Sequence, residues 1–270
     1  MRTLQAIALA AILVLSGCAG IGGPSAPVQT TETTQAPPPS QLPGVTEKGV
    51  TDPAELLSTH AEVLQRSSYT LQSNVTETYA NGTLYASRTE STTYGSSDTH
   101  FTSHITAKGP GTPFLGTPAG EVAYWSNESV ILRATEPGAD GETNYARLSQ
   151  PPELPHEDYY ERLYVIFSSM ETKLAGTTTG PNGQTLHVVE STTVQYPNQL
   201  APTEKYGNVS NVSFTARIAS NGVVRSYELT YTVTLDGKRL TVHESMQISK
   251  VGDATVDRPS WVDTALEKTS

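Results

Sequence analysis

From Tyr69 the apolar period becomes two, the period of strands with one buried face. The C-terminal part is clearest. Val212, Phe214, Ala216 and Ile218 alternate into Asn221-Gly222, and Tyr227, Leu229, Tyr231, Val233 and Leu235 alternate into Asp236-Gly237. Leu240, Val242, Met246 and Ile248 complete the set. Asn-Gly and Asp-Gly favour two-residue type I′ turns. Such turns pair Phe214 with Leu229, Ala216 with Tyr227, Val233 with Leu240 and Tyr231 with Val242. Every pair then lands on one face, which a one-residue slip would undo. An antiparallel three-stranded meander is therefore predicted. Its inward positions include two charges, Arg225 and Glu244. These would either line the mouth of a wet cavity or stand at solvent-exposed edges.

The same period places Tyr69, Leu71, Val75 and Tyr79 on one face, with Asn81-Gly82 as a type I′ turn. That turn pairs Tyr79 with Leu84, Glu77 with Ala86 and Val75 with Arg88, so Glu77 and Arg88 become diagonal neighbours within ion-pair reach. Further strands are predicted at 98–107, 120–126, 129–135 and 143–148, with a Gly/Pro loop at 109–120. Three stretches carry helix signals instead. Asp52-Pro53-Ala54-Glu55 has helix-start chemistry, and Ala54, Leu57, Ala61 and Leu64 form a stripe in a helix ending near Arg66. His60 beside that stripe reads as a packing residue. The segment His156–Lys173 is the second helix, apolar on more than one face through Tyr160, Leu163, Tyr164, Phe167 and Met170. Ser260-Trp261-Val262-Asp263 reads as a capping box opening a short final helix through Leu266.

The first eighteen residues, MRTLQAIALAAILVLSGC, have one charge, Arg2, then an apolar run too short to span a bilayer. Leu15-Ser16-Gly17-Cys18 resembles the lipobox of prokaryotic lipoproteins, which implies lipid attachment at Cys18 and cleavage before it. Cys18 is the only cysteine, so no intramolecular disulfide is available. Residues 19–50 are rich in Gly, Pro, Thr and Ser with no apolar period, as in a spacer. The predicted layout is a signal peptide at 1–17, a lipidated Cys and disordered tether at 18–50, and one β-rich domain at 51–270.

Composition supports strands: 38 Thr and 26 Ser occupy much of the chain, and β-branched Thr suits a half-wet sheet. The formal charge of −10 repels nucleic acid, which is excluded as a partner. The element order helix, antiparallel strands, middle helix, antiparallel strands resembles the LolA/LolB/LppX-type lipoprotein-carrier fold over residues 50–266. That resemblance implies an α+β, mainly antiparallel β protein: a curved incomplete barrel, or half-barrel, with both helices packed on its concave face. The lipobox, the Thr/Pro tether, the acidic surface and Ser68-Tyr69-Thr70 are together similar to an uncharacterised family of haloarchaeal lipoproteins.

Catalytic and metal signatures are missing. His100 and His104 on one strand face stand about 13 Å apart, too far to share an ion. His156-Glu157 lacks the second His of a zinc motif, and neither GxSxG nor SxxK occurs. No cofactor and no enzymatic activity are expected. Five sequons, at Asn74, Asn81, Asn127, Asn208 and Asn211, are candidate glycosylation sites; Asn127 and Asn208 are read as loop residues. Thr-rich strands also generate sequons without selection. The expected function is a lipid-anchored protein on the extracytoplasmic side of the cell membrane, binding or carrying an apolar, lipid-like ligand. Tyr160, Tyr164, Phe167, Met170, Tyr227 and Tyr231 would line its cavity. The alternative is a non-catalytic envelope lipoprotein with a filled core, acting through protein or glycan contacts.

Overall fold

Among the described residues eleven strands join in one open sheet, every neighbouring pair antiparallel. The computed structural model describes residues 42–97, 99–115, 119–127, 129–136, 141–150, 159–201 and 205–270. The signal segment, Cys18 and the tether up to residue 41 lie outside the described residues. The N-terminal strands are β3 (Tyr69–Tyr79), β4 (Leu84–Tyr94), β5 (His100–Lys108), β6 (Gly120–Asn127), β7 (Ile131–Glu136) and β8 (Asn144–Leu148). The C-terminal ones are β9 (Met170–Thr179), β10 (Thr185–Val194), β11 (Gly207–Ala219), β12 (Val224–Leu235) and β13 (Lys238–Ser249). β13 returns to pair with β3, so the two halves share one curved sheet that does not close. The predicted half-barrel class is observed.

Order begins before Thr51. Leu42 is buried, and β1 (Val45–Thr46) pairs with β2 (Gly49–Val50). The Val50 N–H donates to Thr172 Oγ1 at 2.8 Å. At Gly49, φ is +96° and a Cβ would fall 2.5 Å from Thr172 Oγ1, so the close approach requires glycine. The last nine residues of the predicted tether therefore belong to the fold. Helix α1 (Pro53–Gln65) begins as predicted, with Asp52 Oδ1 accepting from the Glu55 N–H at 3.0 Å. Its buried stripe is Leu56, Leu57, His60 and Leu64, not one that includes the exposed Ala54. His60 is fully buried, its Nδ1 accepting from the Val224 N–H at 3.1 Å.

The predicted pairs Phe214–Leu229, Ala216–Tyr227, Val233–Leu240 and Tyr231–Val242 all occur. So do Glu77–Ala86 and Val75–Arg88, but Leu84 faces Thr78 rather than Tyr79. Only the Asp236-Gly237 turn has both residues at positive φ, as type I′ demands. At Asn81-Gly82 and Asn221-Gly222 only the glycine does. There the loops are three residues long, with Gly82 donating to the Tyr79 carbonyl and Gly222 to the Ala219 carbonyl. A bulge after each loop absorbs the extra residue and restores the predicted register.

Helix α2 (Tyr160–Ser169) is shorter than predicted. Met170 is already extended, and Met170-Glu171-Thr172-Lys173 alternates buried and exposed as the start of β9. The β9–β10 hairpin was not predicted; Thr177, Thr178 and Thr179 on its edge strand are exposed and give no apolar period. A four-residue helix, α3 (Pro197–Leu200), follows β10. Helices α1, α2 and α3 contribute Leu57, Leu163, Ile166, Phe167 and Leu200 to the main core against the concave face. Helix α4 (Val262–Lys268) packs elsewhere. Pairing puts Trp125 and Leu132 on the opposite face, where they form a separate cluster with Val262 and Ala265. The predicted Ser260 cap does not form: Trp261 is the N-cap, and the Asp263 carboxylate instead accepts from Arg258.

Candidate functional site

A cavity of about 400 Å³ opens on the concave face where β3, β4, β12 and β13 approach α2. Alternation aims Val75, Glu77, Arg88, Tyr227, Tyr231 and Glu244 into it from the sheet, while α2 and the chain after α3 supply Arg162, Val165, Leu200, Lys205 and Tyr206. Glu244 faces Val75 across the β13–β3 ladder and Glu77 faces Val242, so the two carboxylates are diagonal neighbours. Each is held by its own cation from the covering layer.

Arg162 forks onto Glu244, with Nε to Oε2 at 2.9 Å and Nη2 to Oε1 at 2.5 Å, while Nη1 donates to the Leu200 carbonyl at 3.0 Å. Tyr231 adds a hydroxyl donor to Glu244 Oε1 at 2.9 Å. Lys205 Nζ lies 3.3 and 3.4 Å from the Glu77 oxygens, and the Tyr206 hydroxyl also donates to that carboxylate. The same ammonium sits 4.1 Å from the centre of the Tyr206 ring. Arg88 donates to Glu90 at 3.0 Å, so the predicted Glu77–Arg88 pairing gives way to two other ion pairs.

Burial raises the Glu77 carboxyl above its ordinary value even beside the Lys205 ammonium, and burial lowers Lys205 despite Glu77. Burial also works against charge on Arg162, but Glu244, Tyr231 and Tyr227 outweigh it and raise that guanidinium. Burial, then the Glu90 carboxylate, pushes Tyr159 up to about 12; burial and Glu244 raise Tyr227 and Tyr231 well above the phenol range. These phenols stay neutral hydrogen-bonding groups at physiological pH. Among the described residues no three His, Cys, Asp or Glu side chains are grouped to hold a metal ion.

Of the six residues expected to line a cavity, Tyr227 and Tyr231 do. Phe167 is buried edge-on against Phe214, ring centres 5.6 Å apart, and Met170 is buried at the start of β9. Tyr160 and Tyr164 stack on each other at 6.3 Å, with Tyr164 42% exposed. Where a cavity beside Phe167 was expected the core is filled, and the opening lies toward β3 and β13. Arg225 is not an inward charge either. The bulge between Arg217 and Ile218 breaks alternation there, and Arg225 lines a groove with Arg217 and Gln247. Glu77, Arg162, Lys205 and Tyr206 were not anticipated as site residues. Glu77 had a signal, a charge in register with inward Val75; Lys205 and Tyr206 had none.

Among the sequons, Asn81 is exposed in the β3–β4 turn and Asn127 at the end of β6. Asn74 is half-buried in β3, its amide 3.4 Å from Thr76 Oγ1. Asn208 lies within β11 rather than a loop; like Asn211 it has a φ of 52° beside a register shift. No helix among the described residues is long and apolar enough to cross a membrane.

The chain belongs to a family of unknown function (DUF7537), whose sequence pattern matches residues 3–265. No curated protein matches. Among solved structures it is similar to a DUF1329 family protein from Desulfovibrio piger, at 11% identity over 77% of this chain and 94% of that one, with a TM-score of 0.26. It is similar to a chain of the MucA/MucB complex of Pseudomonas aeruginosa, at 12% identity over 76% and 59%, TM-score 0.31. A putative outer membrane lipoprotein-sorting protein domain from Vibrio parahaemolyticus is similar at 10% identity over 77% and 96%, TM-score 0.23.

Proposed function

We propose that this DUF7537 member is a lipid-anchored extracytoplasmic protein that binds, without transforming it, an amphiphilic ligand in the concave cavity. The observation carrying the reading is a cavity of about 400 Å³, within the usual size of ligand sites, whose lining cations Arg88, Arg162 and Lys205 each already hold a carboxylate of the protein. Three carboxylates (Glu77, Glu161, Glu244) balance three cations (Arg88, Arg162, Lys205) in its lining. A ligand of strong net charge would disturb those pairs, whereas a neutral or zwitterionic head can bond the tyrosine hydroxyls. Val75, Leu115, Val165 and Leu200 offer apolar wall for the remainder. The wholly apolar ligand expected from the sequence suits this lining less well than an amphiphile. Anchoring rests on Leu15-Ser16-Gly17-Cys18.

Native mass spectrometry of protein extracted from its own membrane tests both parts. The expected spectrum shows a lipid mass on Cys18 and a separate co-purifying amphiphile that disappears in Val165→Trp, which fills the cavity. An amphiphile retained in Val165→Trp would place binding elsewhere, and none in the native protein would defeat the binding reading. Cys18→Ser should block processing or release the protein; a variant still cleaved and membrane-bound would defeat the anchor alone.

A further inference from the structure

The face opposite the cavity has a polar groove of its own. Arg217 pairs with Ser226, Ser226 with Gln247 and Gln247 with Gln72, a row crossing four strands. Its three strand spacings measure about 14 Å. The bulge that displaced Arg225 sets it next to Ser226 on this row, and Gln184 from β10's hairpin closes one end of a groove of about 510 Å³.

Its arginines differ from those of the cavity. Arg88 and Arg162 each hold a carboxylate. Arg217 and Arg225 are only partly exposed, and among the described residues neither has an ion pair or a side-chain hydrogen bond. Glu228 borders the groove without pairing with either. Burial lowers Arg225 with no opposing carboxylate. In a chain of net charge −10, leaving two half-buried guanidiniums unanswered favours an anion from outside.

We infer that the Arg217–Arg225 groove is a binding site for an acidic saccharide. The guanidiniums take the carboxylate, the amides of Gln72, Gln184 and Gln247 take sugar hydroxyls, and the row is long enough for several rings. Guanidinium forks match carboxylates in bidentate geometry, while amides both donate and accept, as vicinal hydroxyls require. The site is independent of the concave cavity and of any ligand there.

Calorimetric titration of the full chain in detergent with trigalacturonate, maltotriose and inorganic sulfate tests it. Trigalacturonate should bind, maltotriose should not, and sulfate should bind more weakly than the saccharide. Arg225→Gln should weaken trigalacturonate about tenfold, the loss of one charge-assisted contact, with an unchanged melting midpoint. Arg217→Gln gives the same readout if Arg225→Gln fails to fold. Absent trigalacturonate binding, equal binding of maltotriose, sulfate binding as tightly as the saccharide, or full affinity in both folded variants would each overturn the assignment.

Discussion

Two neighbouring parts of the concave face solve one burial problem in opposite ways. Where β11 meets α2, Phe214 meets Phe167 edge-on, and Ala216 and Ile166 are fully buried beside them. Where β3 and β13 approach the same helix, Glu77 and Glu244 point inward and the helix answers with Arg162. The first part is close-packed, and close packing is where transfer and dispersion energies accumulate. In the second, desolvation of the ions roughly cancels their attraction, so the charges add little stability over apolar side chains of similar volume. What they do is hold α2 at a fixed place over the sheet while an opening remains. The packed side anchors the helix, and the paired side shapes the cavity beneath it.

The packed side gives the largest expected effect. Phe167→Ala should destabilise the fold by about 3–5 kcal/mol in urea denaturation, since a fully buried ring leaves a cavity that cannot collapse. It should leave ligand content per folded molecule unchanged, because Phe167 does not line the opening. A cost under about 1 kcal/mol would mean that this side is not the packed anchor.

On the paired side, Arg162→Met strips the fork from a Glu244 that is 8% exposed and should cost about 3 kcal/mol, measured the same way. Adding Glu244→Leu should recover most of that loss, because the cost lies in the orphaned carboxylate rather than in a missing attraction. A double variant as unstable as the two single losses summed would show that the ion pair itself carries the stability. The ligand should be lost from both.

The contrast between the two sides was only half visible in the chain. Apolar alternation identified Phe214, Ala216, Tyr227 and Leu229 as inward, since one buried face imposes a period of two and any slip is penalised at once. Inward charges could be found by the same rule, and Glu244 was. The rule fails at bulges, which are local: Leu84 moved by one place and Arg225 turned to the other face, although Asn-Gly looked the same as the Asp-Gly that formed the expected turn. It cannot name partners either. Lys205 is 128 positions from Glu77, and nothing near either residue signals the other.

The weaker ion pair gives the smallest and most discriminating effect. The Glu77 carboxyl is raised in the folded protein, mainly by burial and against the pull of Lys205. A group with a higher pKa when folded binds its proton more tightly there, so its contribution is fully present below the unfolded pKa. It is lost as pH rises through the folded value. Wild-type stability should therefore decline across the acid limb, from about pH 4 upward, relative to Glu77→Gln, which cannot ionise and keeps an acceptor for Tyr206. Lys205, lowered by burial, follows the opposite sign at its own higher pKa and leaves this limb unaffected. Urea midpoints for the two proteins at successive pH values read the difference directly. If the variant instead lost ground to wild type as pH rose, attraction to Lys205 would outweigh burial, and Glu77 would belong with the residues that stabilise the fold rather than with those that hold the cavity open.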